Sequence, residues 1–498
     1  MTAELILFRS MTLRLSPFFL LALLASCVRP PSYAPPSLPT PAAWKNVADS
    51  LTAASPPAAM ASSTLPGTAP STVDNPPAPA SWWTLFNDPG LNALEQQATA
   101  QNFRLQAALA RVESARANVR VASSYRSPLV TVDPQVYRSR LSALRPLPFP
   151  VAASSAGVVQ TQYYIPVNAS YEFDVWGRIR GSIRAADADA QVQEANRRTV
   201  LLSLAADAAT YYFSIRGLDA QLQVLDTARL DRRRSLALTR ARYQAGVDNE
   251  IAVHRAETEL ANVDASVAET RRQRQGLEAS LATVVGVPAS GFAVAPQAGP
   301  LVAPRVPASL PAALLARRPD LQQAERRLAA ASARVDVAKL TRLPTVRLNG
   351  YLGPQSARIG DLPRVADNYT YYVGGGVSIP VLNGGRNRAN EQVARSEAEA
   401  LVADYRQAAL VAFQEAETGQ ADVRQYQAQV AARQRAYRAA RLASALTKER
   451  YRAGLTSYFE VVDADRQTLD AATLLTQAQG NLLGASVALV RALGGGWE

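Results

Sequence analysis

A long internal duplication is the feature that most limits how this chain of 498 residues can fold. The stretch RYQAGVDNE that begins at Arg242 returns as RYRAGLTSY at Arg450, 208 residues later. Upstream, ARVESARANVRVASSYRSPLVTV at 110–132 aligns with RRLAAASARVDVAKLTRLPTVRL at 326–348, at a spacing of 216. The change of 8 in this spacing predicts a longer loop in the first copy, within residues 139–160. Two copies that keep register over such runs predict one structural unit built twice.

Both copies have the same predicted order of elements: a helix, two strands, a very long helix and a return helix. The predicted helices are 103–126, 178–245 and 251–285 in the first copy, and 319–342, 386–453 and 459–493 in the second. A run of 68 residues without proline predicts a rod of about 100 Å. A helix of this length needs lateral packing to be stable. The two shorter helices of each copy, placed end to end, are long enough to supply most of that packing.

Alternation of apolar and polar residues predicts four strands, at 129–137, 162–175, 345–353 and 371–381, and it is weaker in the first and third. The second and fourth have the clearest apolar face, which includes Tyr163, Ile165, Val167, Tyr171, Phe173, Val377 and Ile379. Strands of about 9–13 residues with a polar opposite face suit a transmembrane β-barrel. The alternative is a soluble antiparallel sheet on a core, but no further amphipathic segment remains to cover it.

Four strands are too few to close a barrel, and an open sheet edge in lipid is prohibitively costly. The strands of several chains would therefore have to combine into one cylinder. The residues alone do not fix the number of chains.

The N-terminus has the layout of a secretory signal, with basic residues before an apolar run at 15–25 and Cys27 just after it. The sequence LASC at 24–27 resembles the bacterial lipobox, and this resemblance implies cleavage before Cys27 and a lipid on its thiol. Val28 follows, as in lipoproteins sorted to the outer membrane. A buried free thiol is the alternative. We therefore expect a signal peptide at 1–26 and a lipidated Pro/Ala/Ser-rich tether at 27–80.

Four segments together carry a family resemblance over about residues 82–493. They are SWWTLFNDPGLNALEQQATAQN at 81–102, ARRPDLQQAERRLAAASA at 316–333, IPVLNGGR at 379–386 and the two R-Y-x-A-G turns. With Cys27, they resemble the TolC-type outer-membrane efflux proteins, in their lipoprotein, OprM-like branch. The resemblance implies an internally duplicated outer-membrane efflux fold, mixed α and transmembrane β. Four strands per chain would contribute to a trimeric 12-stranded barrel, and the long helices to an α-helical barrel in the periplasm.

The same resemblance implies a passive exit duct for small molecules such as drugs, and no enzyme or cofactor. Its partners would be two sister chains, a periplasmic membrane-fusion adaptor, an inner-membrane transporter of the RND type and outer-membrane lipid. The first repeat is expected at 82–290, the second at 308–493 and a flexible tail at 494–498. The resemblance does not name the cargo.

The resemblance also assigns roles to residues near the turns. Tyr243 and Gly246 in the first turn, and Tyr451 and Gly454 in the second, would form the periplasmic tip where the adaptor docks. Acidic residues follow the second turn in well-studied members, and here Glu460 and Asp463 occupy those positions, where three copies would form a cation-selective pore constriction. An ordinary solvated helix face is the alternative for both.

One departure from the family concerns the resting gate. The TolC latch joins an Arg after the second turn to an Asp after the first, whereas this chain has Thr456 and Ala252 there. That salt bridge cannot form here.

Other functional classes have little support in the sequence. His254 is the only histidine, so no metal site is expected. The net charge of +12 is not accompanied by basic runs interleaved with aromatic residues, so no nucleic-acid partner is expected. Two alternatives stay open: a coiled-coil, adhesin-like surface lipoprotein, and a periplasmic polyanion binder.

Overall fold

The computed structural model describes residues 33–38, 44–45, 81–140, 142, 159–297, 299, 302–304 and 317–495. Cys27, the predicted signal peptide and most of the predicted tether lie outside these residues, as does most of the loop predicted within 139–160. The chain divides into two compact units. Of the described residues, the strand unit contains those within Arg116–Ala188 and Leu328–Ala400, and the helix unit contains those within Ser37–Ala115, Asp189–Arg327 and Leu401–Glu498.

The helices of the two copies correspond closely. The first copy contains α1 (Pro89–Gln101), α2 (Phe103–Ser124), α3 (Arg178–Gln244) and α4 (Glu250–Val285). The second contains α5 (Pro319–Leu340), the short α6 (Val365–Asn368), α7 (Arg386–Arg452) and α8 (Tyr458–Ala492). The two long helices have 67 residues each, and every predicted helix end lies within two residues of the observed one. No helix in the described ranges has both the length and the apolar character needed to cross a membrane.

Six strand segments form one antiparallel sheet. They are β1 (Leu129–Val132), β2 (Gln135–Arg140), β3 (Val159–Tyr164), β4 (Val167–Phe173), β5 (Thr345–Ser356) and β6 (Tyr369–Ser378). β1 pairs with β4, and β2 pairs with β3. β5 pairs with both β3 and β4 on one side and with β6 on the other. The segments therefore make the four long strands that the alternation predicts.

Prolines explain why the first two long strands are each split in two. Pro134 separates β1 from β2 and Pro166 separates β3 from β4, and proline has no N–H to donate to the ladder. Register is kept across the gap, since Tyr163 pairs with Val136 and Val167 with Val132. Two of the predicted lipid-facing residues lie outside regular strand: Ile165 falls in the gap between β3 and β4, and Ile379 follows the end of β6.

The core of the helix unit shows how the copies diverged. In the first copy, α3 buries Leu204, Ala208 and Ile215 in a cluster with α1, α4 and α8. The second copy has smaller residues on α7, and Trp44 from the N-terminal segment packs there against Phe413, with ring centroids 6.2 Å apart. Trp44 is 6% exposed. The predicted tether therefore contains an anchoring residue that its Pro/Ala/Ser-rich composition did not indicate.

The return helices meet the short helices end to end, as the helix lengths predict. In the first copy the Asn102 side-chain amide donates to the Val284 carbonyl (2.7 Å). In the second copy the equivalent residue, Arg318, donates to the equivalent carbonyl, Ala492 (3.0 Å). Gly286 follows α4 with a φ of 91°, where a Cβ atom would lie 2.7 Å from the Gln101 carbonyl oxygen. Only glycine combines this backbone conformation with so close a contact.

Candidate functional site

One face of the sheet is apolar across all four long strands. Residues that pair directly in an antiparallel sheet point to the same side. The paired rows on this side are Val132–Val167–Leu352–Tyr371, Val130–Ala169–Gly350–Val373, Tyr171–Leu348–Gly375 and Phe173–Val346–Val377. Strand pairing thus places the predicted lipid-facing residues Val167, Tyr171, Phe173 and Val377 on one surface.

This apolar face is open to its surroundings. Val167, Phe173 and Val377 are 43%, 45% and 63% exposed, and Ile379 just beyond β6 is 60% exposed. Tyr163, Ile165 and Tyr171 are half-buried. An exposed apolar surface that crosses several neighbouring strands is typical of a protein or membrane contact rather than of a face in water.

The opposite face of the sheet is polar. Asn168 pairs with Thr131, and Glu172 pairs with Arg347. The side-chain amide of Asn168 donates to Asp133 (2.7 Å), and the Arg347 guanidinium lies 3.6 Å from Glu172. The sheet therefore separates an apolar side from a side suited to water.

Both edges of the sheet are open. Among the described strands, β1 and β2 pair on one side only, and β6 pairs only with β5. Each edge leaves a row of backbone N–H and C=O groups without a strand partner, which is a template for pairing with another chain. The sheet of one chain thus has an uncovered apolar face and two unpaired edges.

The two R-Y-x-A-G turns have the same backbone. In the first, the Val247 N–H donates to the Arg242 carbonyl (2.9 Å) and the Gly246 N–H to the Tyr243 carbonyl (2.9 Å). In the second, Leu455 and Gly454 repeat these bonds to Arg450 and Tyr451 at 2.9 and 3.0 Å. Gly246 and Gly454 have φ angles of 70° and 75°. This is the Schellman helix ending, which favours glycine at that position.

The side chains of the two turns behave differently. Tyr243 is 44% exposed, whereas its equivalent Tyr451 is 7% exposed. The Tyr451 hydroxyl donates to the Asp248 carboxylate (2.9 Å), and the Arg242 guanidinium lies 4.9 Å from the Tyr451 ring centroid. Burial, together with the Asp248 carboxylate, raises the pKa of Tyr451 to about 12. The phenol is therefore protonated at neutral pH and links the second turn to the first.

A buried group of charges makes a second connection between the two helical hairpins. Arg232 on α3 is 4% exposed, and its guanidinium lies 3.0 Å from Asp465 on α8 and 3.8 Å from Glu259 on α4. Lys448 on α7 also contacts Asp465 (2.8 Å), and Arg466 contacts Glu259 (2.5 Å). Side chains from all four helices meet here, so relative movement of the hairpins would break several ion pairs at once.

Glu460 and Asp463 lie in the first two turns of α8. Both are exposed, and their spacing of three residues places them on one helix face. The Gln467 amide donates to Asp463 (2.8 Å). Their position near the second turn is compatible with the predicted acidic constriction, which stays a prediction.

The residues that replace the TolC latch make no contact of that kind. Ala252 is buried in the apolar cluster beneath the turns, and Thr456 has a buried hydroxyl oxygen without a hydrogen-bond partner. His254 is exposed on α4 and lies 3.2 Å from Glu257. The described part of the chain contains no cluster of His, Cys, Asp or Glu able to hold a metal ion.

Sequence reasoning missed the residues that connect the hairpins. Asp248 and Tyr451 are 203 positions apart, and no spacing rule pairs them. The one available signal was a sequence difference between the two turns, since Asp248 in the first turn aligns with Thr456 in the second. For Arg232 and Asp465, we find no such signal.

Comparisons with known proteins all identify outer-membrane efflux proteins as similar to this chain. The family described as "Outer membrane efflux protein" matches residues 94–287 and again 310–495. The pyoverdine export outer membrane protein OpmQ of Pseudomonas putida KT2440 is 32% identical over 84% of this chain and 88% of its own length. The solvent efflux pump outer membrane protein SrpC of Pseudomonas putida is 31% identical over 83% and 87%. The solved structure of the outer-membrane channel OprN superimposes with a TM-score of 0.80 at 30% identity, covering 95% of this chain and all of that one.

Proposed function

This chain belongs to the outer membrane efflux protein family, and we propose that it is the passive exit duct of a tripartite efflux system. Small molecules such as drugs would pass through it from the periplasm to the exterior. The chain is a channel component and not an enzyme, so the energy for transport comes from a partner. The observation that carries the proposal is the sheet with an exposed apolar face and two open edges.

A homotrimer is the assembly that we propose for this sheet. Twelve strands from three chains would close a barrel, pair every edge and place the apolar face against lipid. The polar face, with Asn168, Glu172 and Arg347, would line a water-filled interior. Tyr163, Ile165, Val167, Tyr171, Phe173, Val377 and Ile379 would then be lipid-facing.

The two turns are the proposed docking point for a periplasmic membrane-fusion adaptor. Tyr243 and Gly246 offer exposed surface, whereas Tyr451 is held inside by Asp248. The Tyr451–Asp248 bond and the charges around Arg232 are the proposed replacements for the missing TolC latch. Opening would separate the hairpins and break these contacts.

We further propose an RND-type transporter as the inner-membrane partner and Cys27 as the lipid anchor in the outer membrane. Relatives of similar identity have names that refer to different cargo, pyoverdine for one and solvents for another. The choice of cargo is therefore assigned to the transporter rather than to residues of this chain.

The decisive experiment combines assembly and conductance of the purified full-length protein. We expect a trimer that dissociates on heating in gel electrophoresis and single channels in planar bilayers. A monomeric species without conductance would reject the duct. A coiled-coil adhesin would form no channels, and a polyanion binder would leave washed membranes at high salt.

The acidic constriction has its own test in ion selectivity. In the double variant E460Q/D463N, the preference for cations over anions should fall, because three copies of each carboxylate would be lost. E397Q/E399Q removes two exposed carboxylates from α7, distant in sequence from the second turn, and is the matched control that should leave selectivity unchanged. Equal effects of the two changes would assign Glu460 and Asp463 to an ordinary solvated face.

A further inference from the structure

Three tyrosines lie together on the polar face of the sheet, and the function proposed above does not use them. Tyr351 on β5 pairs with Asn168 on one side and with Tyr372 on the other, so all three side chains share the polar face. Tyr164 pairs with Gln355, four residues beyond Tyr351 on the same strand, and therefore points to the same side. We call Tyr164, Tyr351 and Tyr372 the tyrosine patch.

The rings of the tyrosine patch contact one another and remain open to the polar side. Tyr351 and Tyr372 stack, with ring centroids 5.6 Å apart and an interplanar angle of 27°. Tyr164 meets Tyr351 edge to face, at 6.0 Å and 84°. Tyr351 is 37% exposed and Tyr372 is 51% exposed, and none of the three hydroxyls makes a hydrogen bond with a described residue. The rings thus form walls in two directions, with exposed surface left over for a ligand.

A carboxylate lies on the same face, in the row between these rings. The Asp133 N–H donates to the Pro166 carbonyl (3.1 Å), and Pro166 lies between Tyr164 and Asn168 on the neighbouring line of strand. The exposed Asp133 side chain accepts hydrogen bonds from Thr131 and Asn168, both at 2.7 Å and both on Oδ2. Its Oδ1 has no partner among the described residues, and no described cation pairs with this carboxylate. One unneutralised negative charge therefore borders the tyrosine patch.

We propose that the tyrosine patch and Asp133 form a binding site for organic cations, such as planar aromatic or quaternary ammonium compounds. Aromatic faces attract cations, and rings that meet at right angles are the walls of the aromatic cages that hold quaternary ammonium groups. Neighbouring strands lie about 5 Å apart and successive residues on one face about 7 Å apart, so the carboxylate is within reach of a molecule that lies on the rings.

The location of this site inside the duct rests on the trimer proposed above, which turns the polar face inward. The site would hold a cation during its passage, while the choice of cargo stays with the transporter.

Other occupants fit the tyrosine patch less well. An anion would find no free cation on this face, since Arg347, four residues before Tyr351 on β5, lies 3.6 Å from Glu172. A sister chain would pair with the edge strand β6 through backbone groups, and such pairing leaves the Tyr372 side chain on its own face. An organic cation, by contrast, matches both the rings and the charge.

The test measures binding of ethidium, a planar aromatic cation, to the purified full-length protein in neutral detergent by fluorescence polarisation. In Y351L/Y372L the dissociation constant should rise about tenfold, because two ring faces are lost. The matched control Y369L/Y371L removes a stacked pair of tyrosines from β6 on the apolar face, with ring centroids 6.2 Å apart, and should bind like the unmodified protein. Equal affinities of the two variants would overturn the proposal.

Two conservative variants separate the chemistry of the site from a general loss of structure. Y351F/Y372F keeps both rings and should bind within about twofold of the unmodified protein. D133N keeps a hydrogen-bond acceptor but removes the charge, and it should weaken binding about threefold. A loss in Y351F/Y372F as large as in Y351L/Y372L, or no loss in D133N, would contradict the assigned contacts.

Two further measurements locate the bound dye. E460Q/D463N should bind ethidium like the unmodified protein, and a loss there would place the dye at the acidic constriction instead. If Y351L/Y372L falls apart into monomers that bind ethidium unchanged, the rings belong to a chain–chain contact. Conductance of the unmodified protein is recorded alongside, since its absence would reject the duct, whereas ethidium binding that depends on the rings reports on the tyrosine patch alone.

Discussion

The two R-Y-x-A-G turns compare one backbone in two environments. Gly246 and Gly454 end their helices with the same hydrogen bonds and nearly the same φ. Tyr243 nevertheless stays 44% exposed, while Tyr451 is 7% exposed and donates to Asp248. Asp248 belongs to the first turn, and its equivalent in the second is Thr456. The first turn thus supplies the acceptor, and the second turn supplies the donor.

This difference teaches that a backbone feature within one turn is present in both copies, whereas a side-chain contact between the copies requires different residues at equivalent positions. A glycine at a helix end acts through its own backbone, so both copies had reason to keep it. The hydrogen bond between Tyr451 and Asp248 takes its donor from the second copy and its acceptor from the first. It therefore favours unlike side chains at equivalent positions.

The largest expected effect comes from removing the tyrosine of one turn at a time. Y451A should destabilise the tip by about 3–5 kcal/mol, since it empties a buried aromatic position and leaves Asp248 without its donor. Y243A should cost less than about 1 kcal/mol, as expected for an exposed side chain. Hydrogen exchange of the first turns of α4 and α8 measures both. Similar losses for the two variants would mean that Tyr243 is covered in the assembly.

A buried carboxyl in the first copy gives the next largest effect. Glu95 on α1 is 1% exposed, and burial raises its pKa from 4.5 to about 9. The folded protein keeps this proton up to about pH 9, whereas the unfolded chain loses it near pH 4.5. The contribution of Glu95 to the free energy of unfolding is therefore full below pH 4.5, decreases as the pH rises, and is completely lost above pH 9.

E95Q removes that dependence and should raise stability at pH 7 by about 3 kcal/mol, with little gain at pH 4. Thermal unfolding between pH 4 and pH 9 measures the effect. E397Q changes an exposed carboxyl of the second copy and serves as the control. A gain in E95Q that did not grow with pH would contradict a protonated Glu95.

Much of the architecture followed from the sequence, and the family, the duplicated efflux fold and the efflux function are confirmed. Helix ends were predictable because Pro128, Pro344, Gly246 and Gly454 act locally. The strand faces were predictable because alternation has a period of two. The helices and strands were thus encoded in short-range patterns, whereas the fold class followed from the family resemblance.

The rest depended on contacts between distant positions. Trp44 lies in a Pro/Ala/Ser-rich segment, and nothing local indicates that it packs against Phe413. The Asp248–Tyr451 bond joins the two copies, and a repeat shows which residues are equivalent, not which ones touch. The roles of Glu460 and Asp463 remain predictions, since they depend on three chains together.

The helix junctions allow a smaller test of the same comparison. Arg318 is 7% exposed and contacts Glu415 and Asp320 at 2.6 Å each, besides the Ala492 carbonyl. R318A should therefore cost about 2–3 kcal/mol, because two carboxylates and a carbonyl lose a charged donor. N102A should cost about 1–2 kcal/mol, as it removes a neutral donor and the helix cap in which the Asn102 side-chain oxygen accepts the N–H groups of Arg104 and Leu105. Chemical unfolding of the two variants side by side measures the difference in the free energy of unfolding. A larger loss in N102A than in R318A would mean that the Asn102 junction is the stronger of the two.

The smallest effect should also be the most equal one. G246A and G454A each force an L side chain into the left-handed region, which costs about 1–2 kcal/mol. At neither position would a Cβ atom meet a neighbour within 4 Å, so the cost comes from the backbone alone. The two variants should therefore lose the same stability, as measured by hydrogen exchange at the turns. A clear difference would mean that one turn, and not the other, is in contact with a second chain, because only an external contact could make identical backbones respond differently to the same methyl group.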